Sequence, residues 1–236
     1  TIRRVTLVGN TKTNDHVVMR AVRSRPGELF SRADIIRSQR ELNQLQYFDP
    51  EAMNVTPKPN PEDATVDIEY YVEEKPSDQI ELQGGYGAGR LVGSLGVTFT
   101  NFSMRNVFNK DEWRPLPAGD GQQLSLRAQT SGLFFQSYNV SFVEPWLGGK
   151  KPLSFSVSGF HTIQTNGQRA FLRDTDGNRI ENPDRSHLKI TGLSFGLGQR
   201  LKWPDDYFQF RQSINLQQYA IKDFTQFIFS NGVSNN

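Results

Sequence analysis

Several spacings in this 236-residue sequence carry the letters of known chemistries. Gly192-Leu193-Ser194-Phe195-Gly196 fits Gly-x-Ser-x-Gly, the turn that presents a nucleophilic serine. That chemistry needs a sharp strand-to-helix turn, whereas these residues sit inside an alternating run with no helical pattern after it. Asp174-Thr175-Asp176-Gly177-Asn178 begins like a calcium loop, but its glycine is fourth rather than sixth and no correctly spaced glutamate closes it. Asp-Gly turn chemistry in a surface loop accounts for it. Gly85-Tyr86-Gly87-Ala88-Gly89 has the glycine content of a phosphate loop, yet no Gly-Lys-Ser/Thr follows, and a hairpin tip explains it better. His16, His161 and His187 are too dispersed to form a ligand pair at metal spacing. The absence of cysteine removes thiolate zinc sites, disulfide scaffolds and cysteine nucleophiles together. These residues predict no enzyme, no metal and no cofactor.

Composition narrows the partners. With 27 Lys+Arg against 25 Asp+Glu the net charge is +2, from 11 basic and 12 acidic residues in 1–76 and 16 and 13 in the rest, so neither part has the basic footprint of a nucleic-acid binder. No apolar run approaches the roughly 18 residues of a membrane-spanning helix. Thr1-Ile2-Arg3-Arg4 leads into a strand-like alternation rather than a signal pattern. Seventeen phenylalanines nevertheless accompany a mean hydropathy of −0.58. A chain this polar on average must place those rings on one face of something.

The elements divide at Pro76. In residues 1–76, Arg3, Val5 and Leu7 alternate with Arg4, Thr6 and Val8 as a strand ended by Gly9-Asn10. Thr13 or Asn14 caps a helix over about 15–22, and Pro26-Gly27 breaks the chain. Ser31 caps a second helix with Asp34 at its third position, a carboxylate variant of the capping box. Ile35, Leu42, Leu45 and Phe48 form its apolar stripe. Two strands follow, around Met53–Val55 and Thr65–Val72, on either side of a proline-rich turn. The order strand, helix, helix, strand, strand predicts two helices over one face of a small three-stranded sheet.

Residues 77–236 predict about seven strands and no long helix, Phe102–Asn109 being the most convincing helical segment. Typical runs set Leu124, Leu126 and Ala128 against Ser125, Arg127 and Gln129, or Leu193, Phe195 and Leu197 against Ser194, Gly196 and Gly198. Two readings fit such alternation. A soluble sandwich packs the apolar face inward. An outer-membrane barrel turns it to lipid and lines its lumen with the polar face. Run lengths of about nine to fourteen residues suit tilted membrane strands. The polar faces use Ser, Gly, Thr, Asn and Gln rather than Lys and Glu. Short turns such as Trp203-Pro204-Asp205-Asp206 contrast with the long Ile163–Ser186 segment, and Trp146 and Trp203 stand near strand ends as an interfacial girdle would. The barrel is therefore preferred to the sandwich.

Particular residues point to a family. Val5-Thr6-Leu7-Val8-Gly9-Asn10-Thr11, Gly27-Glu28-Leu29-Phe30-Ser31 and Leu42-Asn43-Gln44-Leu45-Gln46-Tyr47-Phe48 resemble a POTRA domain. Val66–Lys75 running straight into Ile80-Glu81-Leu82-Gln83-Gly84-Gly85-Tyr86-Gly87 resembles the last POTRA domain joined to the first barrel strand of BamA-type outer-membrane assembly factors. Glu144-Pro145-Trp146-Leu147-Gly148-Gly149 resembles that family's turn after the fourth barrel strand. The fold class so implied is an α+β POTRA module, residues 1–76, followed by antiparallel transmembrane strands of an incomplete β-barrel, residues 77–236. Family barrels have about sixteen strands, preceded by an array of POTRA domains, and carry a late Val-Arg-Gly-Phe loop motif that is absent here. The chain is thus expected to be an interior piece of a longer protein, and its loops resemble those of Bacteroidota members.

The resemblance implies folding and insertion of other barrel proteins in the outer membrane, with the POTRA domain in the periplasm and no nucleotide or redox cofactor. Its implied partners are unfolded outer-membrane protein clients, accessory assembly lipoproteins, outer-membrane lipid and lipopolysaccharide, and no nucleic acid. In such a protein the first barrel strand, Gln79, Ile80, Glu81, Leu82, Gln83, Gly84, Gly85 and Tyr86, would pair with a client strand. Gly84, Gly85, Gly87 and Gly89 would weaken the seam near its end. Val66, Ile68, Tyr70 and Val72, or their exposed neighbour strand, would receive unfolded periplasmic segments. Three rivals stand beside this reading: a related transporter secreting a client protein, an outer-membrane-tethered hydrolase with its enzyme domain elsewhere, and a soluble binding sandwich.

Overall fold

The computed structural model describes residues 1–222 apart from 88, 114, 115, 150, 151, 175, 176, 202 and 204–207. The chain forms two compact units. One comprises Thr1–Asp78 together with Phe99–Gln122, the other Gln79–Thr98 and the residues from Gln123 onward.

In the first unit the elements run β1 (Ile2–Val8), α1 (Asp15–Ala21), α2 (Arg32–Gln44), β2 (Asn54–Asn60) and β3 (Thr65–Tyr71), the order read from the sequence. Ser31 caps α2, its Oγ accepting the Asp34 N–H at 3.3 Å, and the Asp34 carboxylate lies in the first turn where the helix dipole favours it. Ile35, Ser38 and Leu42 form the buried face of α2. Gln46 takes a left-handed conformation, φ 62°, just past its end. The sheet order is β1-β3-β2, with β1 parallel and β2 antiparallel to β3. Val18, Leu42, Phe48, Ile68, Tyr70 and Val72 are fully buried between helices and sheet. Each contributes about 1.5–3 kcal/mol by leaving water.

Residues Phe99–Gln122 join this unit although they lie beyond the small module in sequence. Here the segment expected to be most helical forms two short 3-10 turns, Arg105–Phe108 and Lys110–Glu112. Phe102 is buried, and Phe102 and Ala118 form an isolated bridge.

The second unit is one seven-stranded antiparallel sheet. It contains β4 (Gln79–Gly87), β5 (Arg90–Phe102), β6 (Gln122–Thr130), β7 (Phe135–Glu144), β8 (Leu153–Thr165), β11 (His187–Arg200) and β12 (Gln209–Lys222), each pairing with the next. Strands of nine to fourteen residues match the length that a tilted strand needs to cross a bilayer. Among the described residues every buried apolar side chain belongs to the first unit. On the strands Leu126, Tyr138, Val140, Leu193, Phe195, Leu197, Ile214 and Leu216 stay exposed, with no second sheet over them among the described residues. A sandwich would bury that face, so the single open sheet removes that rival.

Two local expectations need correcting, and a third falls outside the described residues. A small hairpin, β9 (Phe171–Arg173) with β10 (Arg179–Glu181), occupies the long β8–β11 connection, which the sequence had suggested was loop. The contrast of short turns at one end of the strands with long loops at the other holds only in part. The long 103–121 connection and the short turn around Trp146 alternate on the same end, while the β4–β5 tip and the 131–134 turn at the other end are tight. The Trp203-Pro204-Asp205-Asp206 turn lies, past Trp203, outside the described residues.

Candidate functional site

Strand β4 is the free edge at one end of the seven-stranded sheet. Among the described residues it pairs only with β5, from Gln79↔Thr98 to Gly87↔Arg90, and every one of its nine residues is exposed. Ile80, Leu82 and Tyr86 are 77%, 81% and 76% exposed, so its apolar face has no neighbour to cover it. Its outer backbone groups are the row of unpaired donors and acceptors that an added strand completes. The expected pairing residues Gln79 to Tyr86 thus fall together on one edge. On the polar face Glu81 meets Arg127 of β6, Nη2 to Oε2 at 2.7 Å.

The stem that leads into this strand is tightly held. Glu74 follows β3, and its carboxylate accepts hydrogen bonds from the N–H groups of Thr11 (2.9 Å), Lys12 (2.8 Å) and Thr13 (2.6 Å) and from the Thr11 hydroxyl (2.6 Å). Burial pushes its pKa up, but the donors from Thr11, Thr13 and Lys12 outweigh that and hold it below the usual glutamate value. Further along, Lys75 N–H donates to the Tyr47 carbonyl at 2.9 Å. Asp78 accepts from Thr100 N–H at 3.2 Å, and Ser77 Oγ accepts from the Thr100 hydroxyl at 2.6 Å.

The 99–122 segment is fixed by a second carboxylate. Asp120, 5% exposed, accepts from Ser103 Oγ at 2.6 Å and from Asn14 Nδ2 at 3.0 Å, with His16 Nε2 at 3.6 Å and Arg105 Nε at 3.9 Å. Asn101 reaches both ways: its Nδ2 donates to Thr13 Oγ1 and its Oδ1 accepts from Gly121 N–H, both at 2.8 Å. Gly119 requires its residue type, because at φ 119° a Cβ would lie 2.6 Å from the Lys12 carbonyl oxygen. No signal in the sequence announces this network, since its partners are up to 106 positions apart.

Val66, Ile68, Tyr70 and Val72 occupy a different kind of place. β3 is the central strand of its sheet, paired with β1 on one side and β2 on the other, and Ile68, Tyr70 and Val72 are fully buried. Its ladder capacity is used within the module, so an incoming segment would meet a neighbouring edge. On β2 the prolines at 57 and 59 remove donors from half of that edge. On β1 the start is capped by Glu28 and Gly27, which bond Ile2.

The rejected chemistries have plain places in the fold. Gly192 to Gly196 lie inside β11, paired with β8 and β12, and no helix follows Ser194. Asp174, Gly177 and Asn178 form the turn of the β9–β10 hairpin, while Thr175 and Asp176 lie outside the described residues. Among the described residues no group of three His, Cys, Asp or Glu could hold a metal ion, and no helix is long and apolar enough to cross a membrane.

Comparison with known proteins agrees with this geometry. Residues 1–75 match the POTRA family, described as a surface antigen variable number repeat. The chain is 32% identical over 208 residues to the outer membrane protein assembly factor BamA of Nitratidesulfovibrio vulgaris, covering 85% of this chain and 22% of that protein. Its fold superposes on the crystal structure of BamA from Haemophilus ducreyi lacking POTRA domains 1-3 with a TM-score of 0.65 at 20% identity, over 94% of this chain and 36% of that one. CdiB from Acinetobacter baumannii gives a TM-score of 0.53 at 13% identity, over 94% and 38% respectively. The likeness to these two structures concerns the fold alone. The chain spans about a fifth of the length of the curated relative.

Proposed function

We propose that the protein this chain is part of is a BamA-type assembly factor that folds and inserts β-barrel proteins into the outer membrane, supported by its POTRA match, its similarity to a BamA over 85% of this chain and a barrel-type fold. The strands lie in that membrane and the POTRA domain in the periplasm. We place the domain boundary at 76/77, with Phe99–Gln122 returning to the first unit. The observation that carries the reading is the order of elements, a POTRA stem anchored through Glu74 that runs directly into β4, the first strand of a lipid-type alternating sheet.

The mechanism follows from backbone hydrogen bonding. A nascent strand cannot enter lipid with unsatisfied amides and carbonyls. The outer edge of Gln79 to Tyr86 supplies partners by β-augmentation, so the client's polar groups are satisfied as they leave water. Its apolar face, Ile80, Leu82 and Tyr86, already matches a lipid-facing alternation. The POTRA domain contributes through the strands beside Val66–Val72, chiefly the Asn54–Thr56 part of β2 where no proline interrupts the donors. Clients are unfolded outer-membrane proteins, with accessory assembly lipoproteins, membrane lipid and lipopolysaccharide as surroundings. No nucleotide, metal or redox cofactor enters, nor does nucleic acid, and the protein acts as a template rather than as an enzyme.

Photocrosslinking or cysteine pairing in the full-length protein tests this. A cysteine at Gln83 and a series along a client's terminal strand should crosslink during assembly. Complete absence of crosslinks along β4 in a protein that still assembles clients would overturn the reading. The CdiB likeness favours no second reading, because it extends to fold only.

A further inference from the structure

The hairpin that carries the edge is poor in side chains that could set its register. Of the pairs between β4 and β5, Glu81↔Gly96, Gly84↔Gly93, Gly85↔Val92 and Gly87↔Arg90 all contain glycine. Glycine offers no cross-strand side-chain contact, and glycine-rich strands are prone to slip. A slip of one residue would turn every side chain to the wrong face. A slip of two leaves each side chain on its own face, so the apolar/polar alternation does not forbid it.

One interaction reaches beyond the hairpin. The bond from Arg127 on β6 to Glu81 on β4 spans the strand between them, β5. It passes over position 96, directly opposite Glu81, which is glycine: a Cβ there would lie in van der Waals contact with both partners, 3.5 Å from Glu81 Oε2 and 3.6 Å from Arg127 Nε, so the pair lies directly over that position. Arg127 is itself held in register from the other side, opposite Asn139 in the β6–β7 ladder. Sliding β4 by two residues either way would bring Gln79 or Gln83 opposite Gly96. Neither carries a charge for Arg127 to meet.

We propose that Glu81 and Arg127, closing an ion pair over Gly96, set the register in which β4 is held against the sheet. Both are positioning residues, and their use in templating a client rests on the function proposed above. At 45% and 60% exposed they form a weak, salt-screened pair. Such a pair suits selection between two registers that are otherwise nearly equal, and it leaves the strand releasable.

The register can be read without any client. This chain contains no cysteine, so pairs are introduced in a full-length protein whose remaining cysteines, if any, are first replaced by serine. Leu82→Cys with Leu95→Cys reports the observed register, and Leu82→Cys with Gly93→Cys or Val97→Cys reports the two slipped ones. Glu81→Gln or Arg127→Gln should raise the ratio of slipped to in-register disulfide by about two- to fivefold. High salt should shift the unmodified protein in the same direction. The exchange Glu81→Arg with Arg127→Glu should restore the ratio. An unchanged ratio in both single variants, or failure of the exchange to restore it, overturns the inference. Client crosslinks are scored separately, so a ratio that responds as expected while β4 captures no client counts against templating and supports the register assignment.

Discussion

The Asp120 carboxylate accepts a hydrogen bond from Asn14 Nδ2 at 3.0 Å across 106 positions of sequence. Through this contact and its partner at Ser103, the connection between β5 and β6 becomes part of the POTRA-containing unit. Removing the carboxylate leaves the buried Ser103 hydroxyl without this acceptor, at about 1–3 kcal/mol, and frees the exposed Asn14 amide to water. Asp120→Ala should therefore release the 103–121 segment. Trypsin should then cut at Arg105 and Lys110 at least tenfold faster than in the unmodified protein. Equal cleavage rates would show that the apolar contacts of Phe102 suffice.

Glu74 makes the first unit sensitive to acid. Its folded pKa lies below the ordinary value, so its contribution is complete above that ordinary value and is lost as pH falls through the lower folded one. Between pH 6 and 3 the unmodified protein should lose more amide protection in β1 and β3 than a Glu74→Gln variant, which has no carboxylate left to protonate. Hydrogen exchange read at both pH values checks the sign. Parallel losses in the two proteins would assign the acid response to other groups.

Buried and exposed apolar residues should respond on different scales. Ile68→Ala opens a cavity in the packed POTRA core and should cost about 2–5 kcal/mol in denaturant titration. Ile68→Pro would break a central ladder, so it reports on folding rather than on segment binding. The informative proline is Val55→Pro on the β2 edge set beside Val55→Ala: both lose the Val55 packing against the core, but only the proline loses the N–H and should weaken client crosslinking to the POTRA domain.

The two faces of β11 give a direct test of which side meets lipid. Leu193→Arg should reduce stability in lipid by about 2–4 kcal/mol and slow the appearance of the heat-modifiable folded band. Ser194→Arg, one residue along and on the polar face, should fold almost normally. The reverse pattern would place lipid on the polar face and end the barrel assignment.

Much of this was legible in the residues, for identifiable reasons. Alternation over nine or more residues is a local property, so β4 and β11 could be read from side-chain order alone. The Ser31 cap and the Ile35–Leu42 face were visible for the same reason. Sheet order is not local: nothing in Val66–Val72 states that β1 and β2 flank it, and its regular alternation suits an edge and a centre equally well. The Asp120 network and the Glu81–Arg127 pair each join residues that are near only after register is set. The β9–β10 strands, three residues each, are too short for a period to show.

The route of the chain also orders events in time. Tyr47 donates its hydroxyl to the carbonyls of Thr100 and Gly121, at 2.9 and 3.3 Å, both of them in the segment that returns from between two membrane strands. The first 78 residues precede that segment in sequence and can find their own partners without it. They can collapse around Phe48 and Ile68, but Tyr47 and Asn14 must wait for their partners. A POTRA domain excised at residue 75 would therefore be a permanently unfinished one, and the finished version exists only after β5 has left it and the chain has come back.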